Sequence, residues 1–379
     1  MKLQRQLLNL FTSVYLIANC AIGQAEPLAD VTGYSFNQSK LDTAETPFNF
    51  LRSYVDYYYL LMKKNKVIIP FVNANWNVSA WCAGDAHPEN FGVLLKEDGS
   101  SVFTINDMDD AGPCPAVLEL FRLMVSSRLY DKETQSDKLL EAYVLGLQNK
   151  DYMAPEVIQD MLKKSQKKGA NAKTNKISNN KFIRENGATN VTAIEGTQIK
   201  LALKDYFLGR TVKAEILDIM SNPKTGGGSG GLSRYELLVQ DQGKLIHLQL
   251  KELVSPSLTS VASAIVPAAE NRITEALRYE QVAGYSSWYG IVMLKEKTLT
   301  ISPVFAGNVE VKLDKNQDSE NVDLIRYEAY TLGMLHSKSI SDVSYFVDAI
   351  GNYSRQALEA DVQTISNHFE EKFSHLKNH

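Results

Sequence analysis

Gly84-Asp-Ala-His-Pro-Glu-Asn90 is a polar loop that runs straight into an apolar strand, and this junction constrains the fold more than any other stretch of the chain. Val78–Trp81 leads into the loop. Phe91–Leu95 leaves it, turns at Asp98-Gly99, and Val102–Ile105 comes back, a pattern that predicts a β-hairpin. The returning strand ends on Asn106-Asp107-Met108-Asp109-Asp110. A hairpin brings the start of its first strand beside the end of its second. Asp85, Asn90 and Asp107 are therefore expected to converge, with Asp109 competing for the role of Asp107. Asp107 is preferred because it directly follows the strand. Hard oxygen donors of this kind suit magnesium, and a phosphate brings the rest of its shell. A carboxylate beside such an ion can orient a hydroxyl and accept its proton. Each residue alone reads more readily as a turn or helix cap, but the spacing as a whole favours a site.

A second stretch far along the chain supplies complementary chemistry. Thr225-Gly-Gly-Gly-Ser-Gly-Gly231 fits Gly-x-Gly-x-x-Gly at Gly226, Gly228 and Gly231, with Ser229 among them. A glycine cluster alone is no better than a linker. Here strands are expected to follow, Tyr235–Val239 and Leu245–Leu250 around the Asp241-Gln242-Gly243 turn, and the second ends on Lys251. Glycines allow backbone N–H groups to approach phosphates, and a lysine at the end of the next strand adds an ammonium. That lysine needs a carboxylate to hold it. The helix expected over residues 264–284 offers Glu275 and Glu280, whereas Glu252 would point to the opposite face of the strand.

Asp85-Ala-His-Pro-Glu-Asn90 resembles the Asp-x-x-x-x-Asn catalytic loop of protein kinases. With Gly84 and His87 it is still more similar to the Gly-Asp-x-His-x-x-Asn loop of aminoglycoside and choline kinases. The resemblance implies that Asp85 is the catalytic base and that Asn90 and Asp107 hold magnesium, with Asp109 as the alternative ligand. The glycine segment would cover ATP, and Lys251, held by an acidic residue, would contact its phosphates. The separation of Asn90 from Asp107 is longer than in kinases, and the Asp98-Gly99 turn could absorb the excess. The stretch also resembles an uncharacterised bacterial family known only as a domain of unknown function, number 2252. Its hallmarks are Gly-Asp-x-His-x-x-Asn-Phe-Gly followed by Asn-Asp-Phe-Asp-Glu, and here Met108 and Asp110 replace the Phe and the Glu. Thr46-Pro-Phe-Asn-Phe-Leu-Arg52 and Glu119-Leu-Phe-Arg-Leu123 add to that likeness. The same family points to Glu275 as the partner of Lys251.

The order of the parts is reversed relative to a kinase, because the glycine segment and lysine follow the catalytic loop. Tyr327–Lys338, with its Leu335-His336 ending, resembles the helix that normally precedes that loop. The resemblance implies an α+β, protein-kinase-like two-lobed fold, circularly permuted. The small β-rich N-lobe would span 222–310, and the larger helical C-lobe would combine 26–221 with 311–379. The implied function is ATP-dependent, magnesium-assisted transfer of a phosphoryl group to an unknown small-molecule or protein acceptor. Two rival readings keep the fold: a nucleotide-binding pseudokinase acting as an interaction module, and an AMP transferase.

Of the 379 residues 44% are hydrophobic and 22% charged, enough apolar material for a sizeable core. The net charge of −4 argues against a nucleic-acid binder held mainly by phosphate contacts. Residues 1–25 read as a signal peptide: Lys2 and Arg5 lead, Leu7–Ile22 is largely apolar, and Gly23-Gln24-Ala25 supplies small residues. That pattern implies a periplasmic or secreted protein without a membrane span once the signal is removed. Cys82 and Cys114 then remain and could pair in an oxidising compartment. Phe48, Leu51, Tyr54, Val55, Tyr58, Tyr59 and Leu61 recur at near-helical spacing and read as core. Residues 166–195 read as a surface loop.

Overall fold

The computed structural model describes residues 28–96, 98–170, 172–208, 214–224, 226–279, 288–313 and 318–378. The expected signal peptide and Glu280 lie outside them. Among the described residues four α-helices come first: α1 (Gln38–Thr43), α2 (Pro47–Ser53), α3 (Val55–Asn65) and α4 (Pro70–Asn75). Thr46 and Pro47 set the start of α2. The Thr46 hydroxyl accepts from the Asn49 N–H at 3.1 Å, and the proline occupies a position whose N–H has no helical partner to lose. The expected aromatic stripe is core, since Phe48, Leu51, Tyr54, Val55, Tyr58, Tyr59 and Leu61 are all buried.

β1 (Ser79–Cys82) enters the polar loop, and β2 (Phe91–Leu95) and β3 (Ser101–Ile105) form the expected hairpin. β4 (Gly112–Pro115) returns to pair with β1, and a disulfide joins Cys82 to Cys114 across that pair. Three helices follow: α5 (Ala116–Tyr130), α6 (Ser136–Leu147) and α7 (Glu156–Lys168). The segment expected as a surface loop is more structured than its composition suggests. It contains β5 (Ile177–Ser178), β6 (Lys181–Phe182) and β7 (Thr189–Asn190), and α8 (Ala193–Leu208) begins inside it. Asn179 and Asn180 both adopt positive φ, 50° and 57°, as a two-residue hairpin turn requires.

β8 (Glu215–Ser221), β9 (Arg234–Asp241), β10 (Lys244–Glu252), α9 (Ala269–Tyr279), β11 (Gly290–Leu294) and β12 (Lys297–Pro303) come next. The strands form one antiparallel sheet in the order β11-β12-β10-β9-β8-β7. Residues 222–310 thus hold four of its six strands, and β7 and β8 lie upstream. β13 (Val309–Glu310) leaves the sheet to pair with β2. The chain then runs through α10 (Asp318–Ser337), α11 (Val343–Gly351) and α12 (Arg355–Asn378).

Strand alternation gives the sheet two unlike faces. Leu237, Val239, Leu248, Leu250, Leu299 and Ile301 pack with Ile199, Leu203 and Phe207 of α8 in one apolar cluster. Gln249, Lys251, Thr300 and Ser302 turn to the other face and line a cavity. A larger apolar cluster unites helices from both ends of the chain, as where Phe50 of α2 packs edge-on to Phe369 of α12. The architecture is mixed α+β. Among the described residues no helix is long and apolar enough to cross a membrane.

Candidate functional site

A cavity of about 950 Å3 separates the polar face of the sheet from the loop that follows β1. Asp85, Asn90, Asp107 and Asp109 line it from the front half of the chain, and Gly226, Gly228, Ser229 and Lys251 line it from the back half. The hairpin accounts for the first group. Phe91 pairs with Ile105, and the Asn106 N–H extends the ladder to the Asn90 carbonyl at 2.8 Å. Asn90 is thereby held beside Asn106, one residue before Asp107. The Asn90 amide N–H donates to the Asp85 carbonyl at 3.0 Å, which closes the loop on itself.

Asp85 is fixed from below by α5. Arg122 is fully buried and donates to one Asp85 oxygen through Nε at 2.9 Å and through a second guanidinium nitrogen. Burial pushes the Asp85 carboxyl up to about 6, against the pull of Arg122 and with the help of nearby Asp110. His87 Nε2 stands 3.7 Å from the other Asp85 oxygen, and burial together with Arg52 and Arg122 keeps this imidazole neutral. The backbone before Asp85 is gripped by Glu119, which accepts from the N–H groups of Ala83 at 3.0 Å and Gly84 at 2.6 Å. His336 Nε2 lies 2.8 Å from Glu119, and its Nδ1 lies 2.6 Å from the Tyr143 hydroxyl. Gly84 has φ +88°, and a Cβ there would stand 2.2 Å from the Asp110 carbonyl oxygen. Only glycine lets the two loops touch at this point.

Lys251 projects from the end of β10 into the acidic loop. Its ammonium lies 2.6 Å from Asp107 Oδ2 and also bonds Asp109. Exclusion of water works to raise both carboxyls. Lys251 outweighs this for Asp107, which is held low, whereas Asp109 is pushed up by burial and by Asp107. Lys251 itself is raised, because the two carboxylates overcome the burial that would lower it. An ammonium seated between two carboxylates marks a point where hard oxygen donors converge on positive charge. The donor set of Asp107, Asp109 and the Asn90 amide suits a magnesium ion.

The glycine segment is a turn against the front helices. The Lys40 ammonium donates to the Gly228 carbonyl at 2.7 Å, and the Ser229 hydroxyl is 3.4 Å from Arg234. Gly231 turns the chain at φ +84° but does not line the cavity. Glu275 does not hold Lys251. It pairs with Arg278 at 3.1 Å on the outer side of α9, because the helix turns Arg272, Ile273 and Ala276 inward instead. Asp107 and Asp109 take the part expected of Glu275.

Sequence reading missed Arg122, Arg272 and the contact of Glu119 with His336 as parts of the site. A signal existed for two of them. Glu119 and Arg122 stand three apart in Ala-Val-Leu-Glu-Leu-Phe-Arg-Leu-Met-Val, and charges in so apolar a helix must be buried and paired. Arg272 carried no such signal, since its helix is rich in charge.

A family model described as an uncharacterised protein conserved in bacteria (DUF2252) matches residues 39–147 and 130–373. No curated protein and no solved structure matches the chain.

Proposed function

We propose a magnesium-assisted, ATP-dependent phosphotransferase for this chain, which belongs to the DUF2252 family of conserved bacterial proteins. The observation that carries the reading is the contact between Lys251 Nζ and Asp107 Oδ2 at 2.6 Å. It closes two distant stretches around one cavity, with carboxylates from one half and a cation and a glycine turn from the other. Lys251 lies on the third strand of the run β8, β9, β10, and the glycine turn joins the first two. That is the setting in which a kinase glycine loop and lysine are found.

In this reading Asp85 orients the acceptor hydroxyl and accepts its proton, with a carboxyl near the pH at which such a base is effective. Arg122 holds that carboxylate in one rotamer. Lys251 and the backbone of Gly226–Ser229 bind the phosphates, and Lys224 and Arg234 add positive charge to the same wall. Asn90, Asp107 and Asp109 would hold magnesium, which neutralises charge on the transferring group when bound. Most of the acceleration then comes from positioning and electrostatic stabilisation.

We read the order of the parts as a circular permutation of a two-lobed kinase-like fold. In support, α10 ends with His336 against Glu119, and Glu119 grips the backbone just before Asp85. The Trp81 N–H likewise donates to the Ser339 hydroxyl at 2.7 Å. The end of α10 therefore abuts the loop that would follow it in the unpermuted order. The disulfide favours a periplasmic or secreted site of action. The test is calorimetric titration of ATP with and without magnesium, followed by phosphoryl release or transfer in wild type and Asp85→Asn. Binding that needs magnesium, with turnover lost only in the variant, is expected. Equal turnover in both proteins would remove Asp85 from the chemistry, and absence of ATP binding would remove the function.

A further inference from the structure

We propose that Arg272 is a positioning residue that fixes the Asp107–Asp110 loop for metal binding, an inference that rests on the phosphotransferase reading. Arg272 sits on the inward face of α9 and is 2% exposed. Its guanidinium donates to the Asp109 carbonyl and, at 3.4 Å, to the Ala111 carbonyl. Among the described residues no carboxylate forms an ion pair with it. A buried arginine costs desolvation energy, and stability alone would be as well served by an apolar side chain. Its bonds go to the backbone of the segment whose side chains carry the acidic centre.

Neighbouring contacts make α9 a clamp on that segment. Ala276 packs in one cluster with Met108 and Ala111, and Tyr279 stacks on Trp81 with ring centroids 5.6 Å apart. Gly84 also meets the Asp110 carbonyl. The loop is thus contacted both by the glycine before Asp85 and by the arginine of α9. Lys251 offsets the repulsion between the Asp107 and Asp109 carboxylates, and the backbone bonds of Arg272 fix the loop that carries them. The partner of a metal ligand commonly fixes its orientation in this way, and losing such a partner weakens metal affinity about tenfold to a hundredfold.

The experiment measures the magnesium midpoint for ATP binding, together with thermal unfolding, in wild type, Arg272→Met, Arg272→Lys and the control Arg278→Met. Arg278 lies on the same helix with its side chain mostly exposed. Arg272→Met should raise the magnesium midpoint about tenfold. Arg272→Lys, which keeps a buried donor, should recover part of the loss, and Arg278→Met should behave as wild type. Variants that melt earlier but keep the wild-type magnesium midpoint would show a purely structural arginine and overturn the inference. If Arg272→Met does not fold, Arg272→Gln decides, because its shorter side chain cannot reach both carbonyls, and a wild-type midpoint there overturns the inference equally. A wild type that binds no magnesium–ATP would overturn both this inference and the function it rests on, whereas normal wild-type binding with unshifted variants sinks the arginine alone.

Discussion

The ammonium of Lys251 lies 2.6 Å from the carboxylate of Asp107, although the two residues are 144 positions apart in the chain. Lys251 also bonds Asp109. The lysine and a divalent ion therefore compete for the same oxygens. Lys251→Met should increase the affinity of the nucleotide-free protein for manganese, read by electron paramagnetic resonance. The same change should weaken ATP binding by about 2 kcal/mol, the worth of a charged hydrogen bond. Weaker manganese binding in the variant would show that these carboxylates do not form an ion site.

Arg122→Met leaves the Asp85 carboxylate without its two guanidinium bonds. Breaking a buried pair from one side is expected to cost about 3 kcal/mol in urea unfolding. The double variant Arg122→Met with Asp85→Asn should recover much of that loss, since the stranded charge is gone. A double variant no more stable than the single one would contradict the pairing.

Gly84→Ala puts a methyl group where the Asp110 carbonyl already stands, at a φ of +88°. The strain is about 2 kcal/mol, and the shift of the acidic loop should lower turnover about a hundredfold. Gly99 also has a positive φ, but its added Cβ meets nothing within 4 Å. Gly99→Ala should therefore cost only the strain of its positive φ, about 1 kcal/mol, and leave turnover near wild type.

Cys82 and Cys114 enclose the segment that carries Asp85, Asn90, Asp107 and Asp109. Their sequence separation of 32 predicts a stabilisation of about 3–4 kcal/mol. Cys82→Ser with Cys114→Ser should lower the unfolding midpoint accordingly. Unchanged stability would show that the hairpin and Glu119 hold the segment unaided.

Asp361 supplies a pH dependence away from the cavity. Burial raises its carboxyl to about 6, against hydrogen bonds from the Tyr353 hydroxyl and the Phe71 N–H. The folded protein keeps this proton when the unfolded chain has lost it, so stability falls as pH rises from about 4 to 6. Asp361→Asn should make that fall shallower, since the raised carboxyls of Asp85 and Asp109 contribute to it too, and should unfold at a higher temperature than wild type at pH 7. A wild-type slope retained in the variant would assign the dependence to another group.

The β2–β3 hairpin, the β9–β10 turn and the aromatic stripe of α2 and α3 were legible because local rules determine them. The placing of Asn90 near Asp107 followed from the hairpin, whereas the place of Asp85 on the same cavity depends on Arg122, Glu119 and the Gly84–Asp110 approach. The partner of Lys251 was not legible. A helical glutamate and a loop aspartate are chemically equal candidates, and only the packing of α9 turns Glu275 outward. β5–β7 were hidden by polar composition, and the buried role of Arg272 by the charged helix around it.

β13 joins β2 through Val309 and Val93 and through Glu310 and Gly92, immediately beside Asn90. On the opposite rim the glycine turn meets the front helices through Lys40 and through Thr43 against Gly226. One rim is stitched by main-chain ladder bonds, and the other is latched by a flexible side chain and a small contact. Room for a bulky ligand therefore costs less to make at the glycine turn, where a lysine side chain need only move aside, than beside Asn90, where main-chain pairing would have to break.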